Sequence, residues 1–224
     1  MRFVPPGAED AYYEIKVYET GRVETRPDSL HDFFNALAWL AFPRTKARIN
    51  AMHAAEIPRE GGRRGSLRDL LTIFDEGGAI VQCDDTELRS MLTGCRWKEL
   101  FWQHRERLKA AMRVLVLGHA VLEQALQPWP GITCKAVVVP AAADPDAAAC
   151  AWLQHRARGD SPRILWPLPI FGFPAWHPQT EHAEFYDDAR YFRPQAVKSL
   201  PESARQPLRA SAEESPGSAE RDAG

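Results

Sequence analysis

Apolar and polar residues alternate over residues 11–26, AYYEIKVYETGRVETR. A period of two is typical of a strand with one buried face, and the Thr-Gly pair at 20–21 separates two such stretches. The pattern predicts a β-hairpin over 11–26. A second hairpin is predicted within 69–83, where two apolar runs flank the turn-forming Asp-Glu-Gly-Gly run at 75–78.

A helical period begins after Ser29, which is predicted to cap the helix while Asp32 takes the capping-box position. Pro43 interrupts this helix and suits the first turn of a following one, because its missing N–H has no partner to lose there. The second helix is predicted to end before Pro58. Residues 29–57 therefore form a predicted helical hairpin.

The remaining segments divide by period and composition. Residues 85–127 have a helical pattern, 132–140 form a β-branched run typical of a buried strand, and 145–158 indicate a short helix. The Pro- and aromatic-rich residues 162–194 predict an extended, packed wrap. Residues 195–224 have almost no aliphatic side chains, and we expect a disordered C-terminal tail.

These elements predict an α+β fold in one globular domain over residues 1–194. The expected sheet is small, antiparallel or mixed, and built from 11–26, 69–83 and 132–140. We expect it to pack on the helical hairpin and on a long central helical segment, residues 85–127.

Composition limits the classes of function. The chain has 224 residues, with 28 Lys and Arg against 30 Asp and Glu, a net charge of −2. This balance does not favour a dedicated nucleic-acid binder, although it allows a local basic patch. The N-terminus has no signal-peptide core, no apolar stretch reaches the length of a membrane span, and the four cysteines have no metal-ligand spacing. We expect a cytoplasmic protein with reduced thiols.

Polar residues recur at helical spacing on both halves of the predicted helical hairpin. They are His31, Asn35, Lys46, Asn50 and His53. If the chain turns tightly at Phe42-Pro43, Asn35 faces Asn50 and His31 lies near His53. Two facing polar stripes predict either a hydrogen-bonded structural network or a catalytic or ligand site. No H-E-x-x-H signature is present, so the sequence gives a bound metal little support. It does not identify a metal or a cofactor.

A second candidate pair lies in the central helical segment. His119 and Glu123 are four residues apart and therefore share one face of a helix. Such a pair can serve as an acid–base unit, as half of a metal site, or as a satisfied core pair. A nuclease-like grouping of Asp75 and Glu76 with Lys98 and Glu99 is a further alternative, although turn chemistry explains the first two residues.

Several longer strings occur together and in order: HDFFNALAWLAFPRTKARIN, LTIFDEGGAIV, WKELFW, GHAVLEQAL and FYDDARYFRP. Together they resemble the bacterial family called domain of unknown function 3025, over about residues 2–194. The resemblance implies a bacterial, cytosolic protein and supplies no catalytic residues. It also implies that further residues often precede the segment matching MRFVPP.

Two hypotheses for function follow. The first is an enzyme, possibly hydrolytic, in which a histidine of the helical hairpin acts as general base while Lys46 and the asparagines hold an anionic or carbonyl group. The second is a non-catalytic binding or protein-interaction module with an exposed Trp-rich surface. That surface would include Trp97, Trp102, Trp166 and Trp176. The sequence names no substrate or partner; a small molecule is possible and a membrane is not expected.

Overall fold

The computed structural model describes residues 1–7, 12–61 and 63–194. Helices and two small sheets make up an α+β fold, as predicted. The helices are α1 (Tyr13–Thr20), α2 (Leu30–Ala41), α3 (Pro43–Glu56), α4 (Ser66–Gly77), α5 (Thr86–Thr93), α6 (Arg105–Ala111), α7 (His119–Gln124) and α8 (Pro145–Gln154). The strands are β1 (Arg2–Val4), β2 (Arg22–Glu24), β3 (Gly78–Gln82), β4 (Arg113–Val116), β5 (Thr133–Val139) and β6 (Trp166–Pro169).

A four-stranded mixed sheet with the order β4-β3-β5-β6 forms the centre. β3 and β5 pair in parallel, with Ile80 opposite Val137, while β4 and β6 are antiparallel to their neighbours. β5 confirms the strand predicted over 132–140. All five residues of β3 are buried, which is expected of a central strand covered on both faces.

Each face of the sheet carries its own hydrophobic cluster. Ala79 and Val81 point toward α5, α6 and the C-terminal wrap, whereas Ile80 points toward α3, α4 and α8. This alternation follows the period of two along a strand. The chain therefore forms three layers, and helices α3 and α4 are held against the second face.

The hairpin predicted over 11–26 is wrong in the part that the structure describes, residues 12–26; residue 11 lies outside the described residues. Tyr13–Thr20 is helix α1, and Gly21 ends it in the left-handed conformation with φ 65°. The Thr-Gly pair is thus a helix stop, which also favours glycine. β2 then pairs in parallel with β1 in a separate two-stranded sheet, and neither strand joins the central sheet.

The hairpin predicted within 69–83 is also wrong. Helix α4 continues to Gly77 because Leu67, Leu70, Leu71 and Phe74 fill the core at helical spacing. The Asp-Glu-Gly-Gly run is the passage from α4 into β3. A Cβ at Gly78 would lie 2.1 Å from the carbonyl oxygen of Phe74, so this abrupt change of direction requires glycine.

The long central helical segment predicted over 85–127 is broken into several elements. A π-helical turn, Glu99–Gln103, separates α5 from α6, and residues 113–116 form strand β4 instead of helix. The apolar run RVLV pairs with β3, so tertiary pairing overrides the helical pattern of its neighbours. α7 is only six residues long.

The aromatic wrap contains β6, an edge strand that the sequence analysis missed, and several short 3-10 turns. Trp97 is only 3% exposed and its indole N–H donates to the carbonyl of Arg193. Trp97 therefore cannot belong to an exposed interaction surface. The prediction of a disordered tail falls on residues 195–224, which lie outside the described residues, and the prediction of one domain stays a prediction.

The termini of α2 and α3 follow local signals together with one distant carboxylate. The hydroxyl of Ser29 accepts from the Asp32 N–H at 3.2 Å, and Pro43 occupies the first turn of α3. Asp32 does not close a capping box, because its carboxylate accepts from Arg26 instead. Asp146, at the start of α8, accepts from the N–H groups at the start of α3, at 2.9 Å from Arg44 and 2.8 Å from Thr45.

Asp146→Ala should lower the free energy of unfolding by about 1–3 kcal/mol, because two N–H groups of α3 lose their acceptor. Asp146→Asn keeps one acceptor oxygen and should lose less. Urea unfolding at neutral pH measures both. Equal stability of the alanine variant and the unmodified chain would show that Asp146 does not anchor α3.

Candidate functional site

A polar cavity of about 280 Å³ lies where α1, α2, α3, α4 and the start of α7 meet. Its walls are rich in ionisable and amide side chains and include one apolar side chain from α3, Ile49. The other lining residues are Tyr13, Glu14, Glu24, Arg26, His31, Asp32, Asn35, Trp39, Lys46, Asn50, His53, Thr72, Asp75, Glu76 and His119.

The ammonium group of Lys46 is buried in one wall, with the side chain 3% exposed. It donates to the carboxylate of Asp75 at 2.6 Å and to the amide oxygen of Asn35 at 2.7 Å. It also lies over the Trp39 ring, 5.4 Å from the centroid. A buried charge is tolerated only when it is paired and hydrogen-bonded, and here helices α2 and α4 supply the partners.

Asn35 extends this network to the rim of the cavity. Its amide nitrogen donates to the hydroxyl of Tyr13 at 3.3 Å while its amide oxygen accepts from Lys46. Burial is the main reason that the pKa of Tyr13 is raised to about 12. The phenol therefore stays protonated at neutral pH and keeps a hydroxyl hydrogen for donation.

His31 bridges two partners from α7. Its Nδ1 lies 3.0 Å from a carboxylate oxygen of Glu123, and its Nε2 lies 3.1 Å from the Nε2 of His119. His119 in turn places Nδ1 2.9 Å from the backbone carbonyl oxygen of Asp75. Gly118 allows this close approach of α7 to α4, since a Cβ there would lie 2.6 Å from the Glu76 carbonyl oxygen.

A direct hydrogen bond between the two Nε2 atoms needs a hydrogen on one of them. A carbonyl oxygen only accepts, so His119 carries its hydrogen on Nδ1 and presents a lone pair at Nε2. His31 likewise donates Nδ1–H to the Glu123 carboxylate. Two neutral rings would direct lone pairs at each other, so one of the two Nε2 atoms must bear a hydrogen and donate to the other.

The two imidazoles differ in burial and in the charges around them. Burial lowers the pKa of His119; Asp75 opposes that shift, while the charges of Lys46 and His31 add to it. The His31 side chain is 41% exposed and contacts a carboxylate that stabilises an imidazolium. The half-exposed imidazole of His31 thus faces the buried imidazole of His119 at the edge of a polar cavity.

The opposite wall contains His53 within a second network. The buried guanidinium of Arg68 donates to Nδ1 of His53 at 3.1 Å and also pairs with Glu60 and Glu14. Asn50 donates to the Glu14 carbonyl oxygen at 2.7 Å. Burial is the main reason that the pKa of His53 is lowered to about 4, so this imidazole is neutral and its Nε2–H is available.

The cavity brings together the polar residues singled out on the helical hairpin, but with different partners. Asn35 contacts Lys46 instead of facing Asn50. His31 contacts α7 and His53 contacts α4; within the described residues no hydrogen bond joins these two histidines. The reason is that α2 packs mainly on α7, whereas α3 packs on α1 and α8, so the two helices share few contacts.

Of the α7 pair, His119 lines the cavity and Glu123 reaches it through His31. His119 and Glu123 are therefore linked by a third side chain and not by a direct hydrogen bond. The nuclease-like grouping does not form, because Lys98 pairs with Asp187 and Glu99 with Arg96.

Sequence reasoning missed three residues of this site. Asp75 was explained as a turn residue, and Tyr13 as part of a strand. Arg68 was assigned to a Gly- and Arg-rich loop over 59–68 that could bind phosphate or be solvated, but it is buried in α4. The helical spacing of the apolar residues of α4 was a usable signal for Asp75, since it extends the helix to that position.

The site holds two converging imidazoles, and each has its Nδ1 atom next to an acceptor. In residues 1–7, 12–61 and 63–194, no three or more His, Cys, Asp or Glu side chains are grouped so that they could hold a metal ion. His31 and His119 direct their Nε2 atoms toward one another, while Glu123 and the Asp75 carbonyl contact their Nδ1 atoms. Acceptors at Nδ1 hold the imidazoles in this way both in proton-transfer pairs and around metal ions.

The fold and the cavity thus define an α+β protein with a buried polar site built from five helices. The chain belongs to the family described as protein of unknown function (DUF3025), whose profile matches residues 1–196. This confirms the resemblance seen in the sequence. No curated protein and no solved structure shows significant similarity to the chain.

The helices of the described part of the chain are too short or too polar to cross a bilayer.

Lys46→Met should lower the free energy of unfolding by about 3 kcal/mol, because it leaves the Asp75 carboxylate without its cation. Adding Asp75→Asn should restore part of that loss. Lys98→Met is the matched control, since its pair with Asp187 is exposed and should contribute under about 1 kcal/mol. Urea unfolding measures all three; equal losses in both lysine variants would contradict the network.

Acid should destabilise the fold through His53. Its pKa is about 4 in the folded chain and 6.5 as the ordinary value, so the unfolded chain binds more protons between those limits. Neutral His53 contributes its full stabilisation of the folded chain above pH 6.5. As pH falls from 6.5 toward 4, the free energy of unfolding decreases by about 3 kcal/mol in total. His119 acts in the same direction.

His53→Asn removes the titrating group and keeps an acceptor for Arg68. Its stability should therefore change less between pH 7.5 and pH 4.5 than that of the unmodified chain, by urea unfolding at both pH values. An identical pH dependence in the two proteins would refute the neutral, buried state of His53.

Proposed function

We propose that the chain is an enzyme that binds a small polar molecule in the central cavity and hydrolyses it, with His31 and His119 as the proton-transfer pair. The observation that supports this most is the 3.1 Å contact between their Nε2 atoms, whose Nδ1 atoms both have acceptors. Two histidines that only stabilise the fold could each be satisfied without sharing a proton next to a cavity.

The two imidazoles differ in surroundings in the way that acid–base chemistry requires. His119 is buried and its pKa is lowered, so it remains a neutral base near neutral pH. His31 is half-exposed and contacts the Glu123 carboxylate, and we assign it the role of proton donor. Pairs of titratable groups whose environments favour opposite protonation states divide the roles of acid and base.

In the proposed reaction, His119 accepts a proton from water as the water oxygen bonds to a carbonyl or phosphoryl centre. The bond to the leaving group breaks, and His31 gives its Nε2 proton to that group. One proton then returns from His119 to His31 across their contact, so both rings recover their first state. Substrate entry must separate the two Nε2 atoms before this cycle begins.

The other cavity residues fit binding roles. Lys46 already has two strong acceptors, so we assign it a local positive field and the positioning of Asp75 and Asn35, not direct contact with the substrate. The amide oxygen of Asn50 and the Nε2–H of His53 are three residues apart on α3 and offer an acceptor and a donor. Together they suit a neutral polar group such as an amide or a hydroxyl.

The family resemblance and the free cysteines of the described residues support a bacterial, cytoplasmic setting for this activity.

A panel of chromogenic esters, amides, phosphomonoesters and phosphodiesters tests the proposal. The purified chain should hydrolyse at least one class, and His119→Asn should lower the rate by about 10²- to 10⁴-fold, as expected when a general base is lost. The pKa of His119 is lowered from its ordinary value of 6.5, so this base loses its neutral form only below pH 6.5. On the acid side, kcat/KM should therefore begin to fall only below that pH.

His182→Asn is the matched control, because His182 is exposed and lies in the aromatic wrap. Its rate should equal that of the unmodified chain. Absence of turnover in every class, or equal rates in His119→Asn and His182→Asn, would overturn the hydrolytic function.

A further inference from the structure

A second, larger cavity runs along the free edge of the central sheet, far in sequence from the hairpin. We call it the edge groove; its volume is about 1260 Å³, and it follows strand β6 and the loop before β5. Residues that matter for its chemistry are Trp129, Lys135, Trp166, Arg163, Arg190 and Arg193. None of them lines the polar cavity.

The edge groove is cationic although the whole chain is not. Lys135, Arg163, Arg190 and Arg193 line it, and Asp188 is its one acidic lining residue. Asp188 is already paired with Arg190 at 2.9 Å. Three positive charges thus face the groove without an acidic lining residue to balance them, while the net charge of the chain is −2.

The exposed indole of Trp129 lines the edge groove together with these basic side chains. Trp129 is 55% exposed, more than expected for the largest aromatic side chain. Its ring packs across Gly131, where a Cβ would lie 1.6 Å from a ring atom. Gly131 therefore gives the indole room to lie against the backbone while more than half of Trp129 stays exposed. Trp166 adds a half-buried aromatic wall.

The edge strand is unsuited to a peptide that adds as another strand. Pro167 and Pro169 have no N–H, so the ladder with β5 must use the N–H groups of Trp166 and Leu168. The outer edge of β6 then offers no donors for β-sheet pairing. The volume also exceeds the 300–1,000 Å³ of typical small-molecule pockets, which favours a polymer over one nucleotide.

We propose that the edge groove binds a short segment of single-stranded nucleic acid, with a base stacked on Trp129 and phosphates held by the surrounding Lys and Arg side chains. Aromatic side chains next to a cationic track are the features by which proteins bind single strands without reading sequence. This binding is independent of the proposed hydrolysis, because it shares no residue with the polar cavity.

Fluorescence anisotropy of labelled oligothymidylate and oligouridylate, titrated with the full chain, tests the proposal. Binding should saturate, and Trp129→Ala should weaken it by about 5- to 100-fold, as expected for one lost stacking contact. Gly131→Ala should weaken it as well, because it displaces the indole without removing it. Trp176→Ala, at another exposed tryptophan, should leave the affinity unchanged.

The salt dependence separates phosphate contacts from general attraction. Between roughly 50 and 200 mM salt, the slope of log K against log salt changes by about 0.7 for each phosphate contact on a single strand. Lys135→Ala with Arg163→Ala should therefore reduce the slope by about 1.4. Arg113→Ala, on β4 at the opposite edge of the sheet, is the matched control and should leave the slope unchanged.

Three outcomes would each overturn the proposal. They are the absence of saturable binding at the lower salt concentration, equal affinities of Trp129→Ala and Trp176→Ala, and competition by polyglutamate as strong as that by unlabelled oligonucleotide. The last result would identify the edge groove as a site for acidic protein segments.

Discussion

One buried ammonium group, that of Lys46, determines how the helices around the polar cavity are placed. A charge with 3% exposure requires partners, and these come from α2 through Asn35 and from α4 through Asp75. Asp75 then fixes the position of α7, since its carbonyl oxygen is the acceptor for His119. Without this cation, three helices would lose the polar contacts that orient them toward one another.

The same contacts explain why two histidines distant in the sequence meet. Gly118 lets α7 start directly against the end of α4, which brings His119 to the cavity. α2 packs on α7, and His31 completes the contact. The contact between the two rings is thus a consequence of helix packing, and acceptors hold both Nδ1 atoms. This Nε2–Nε2 contact is the observation that most supports the proposed acid–base chemistry.

Local signals predicted part of this structure. Ser29 and Pro43 mark the starts of α2 and α3 through capping and backbone geometry, which depend on few neighbours. β4 was missed because the strand character of residues 113–116 depends on pairing with β3, and the α4–β3 passage was taken for a turn because two glycines also suit a turn. No local sequence pattern predicts that β1 pairs in parallel with β2, because helix α1 separates the two strands along the chain.

The sequence predicted which polar residues of α2 and α3 line the site, but not which side chains they contact. The spacing of His31, Asn35, Lys46, Asn50 and His53 placed polar groups on faces that now line one cavity. Their partners come from α1, α4 and α7, and only tertiary packing decides that His31 contacts His119 and that His53 contacts Arg68. The edge groove was not predictable, since its charges lie on three separate segments.

Long-range ¹H–¹⁵N spectra of the imidazole rings in the full chain test most directly whether His31 and His119 share a proton. We expect a hydrogen on Nδ1 of both rings and one further hydrogen between the two Nε2 atoms. A hydrogen on Nε2 of His119 with Nδ1 bare, or two rings with the tautomer mixture of exposed histidines, would contradict the account.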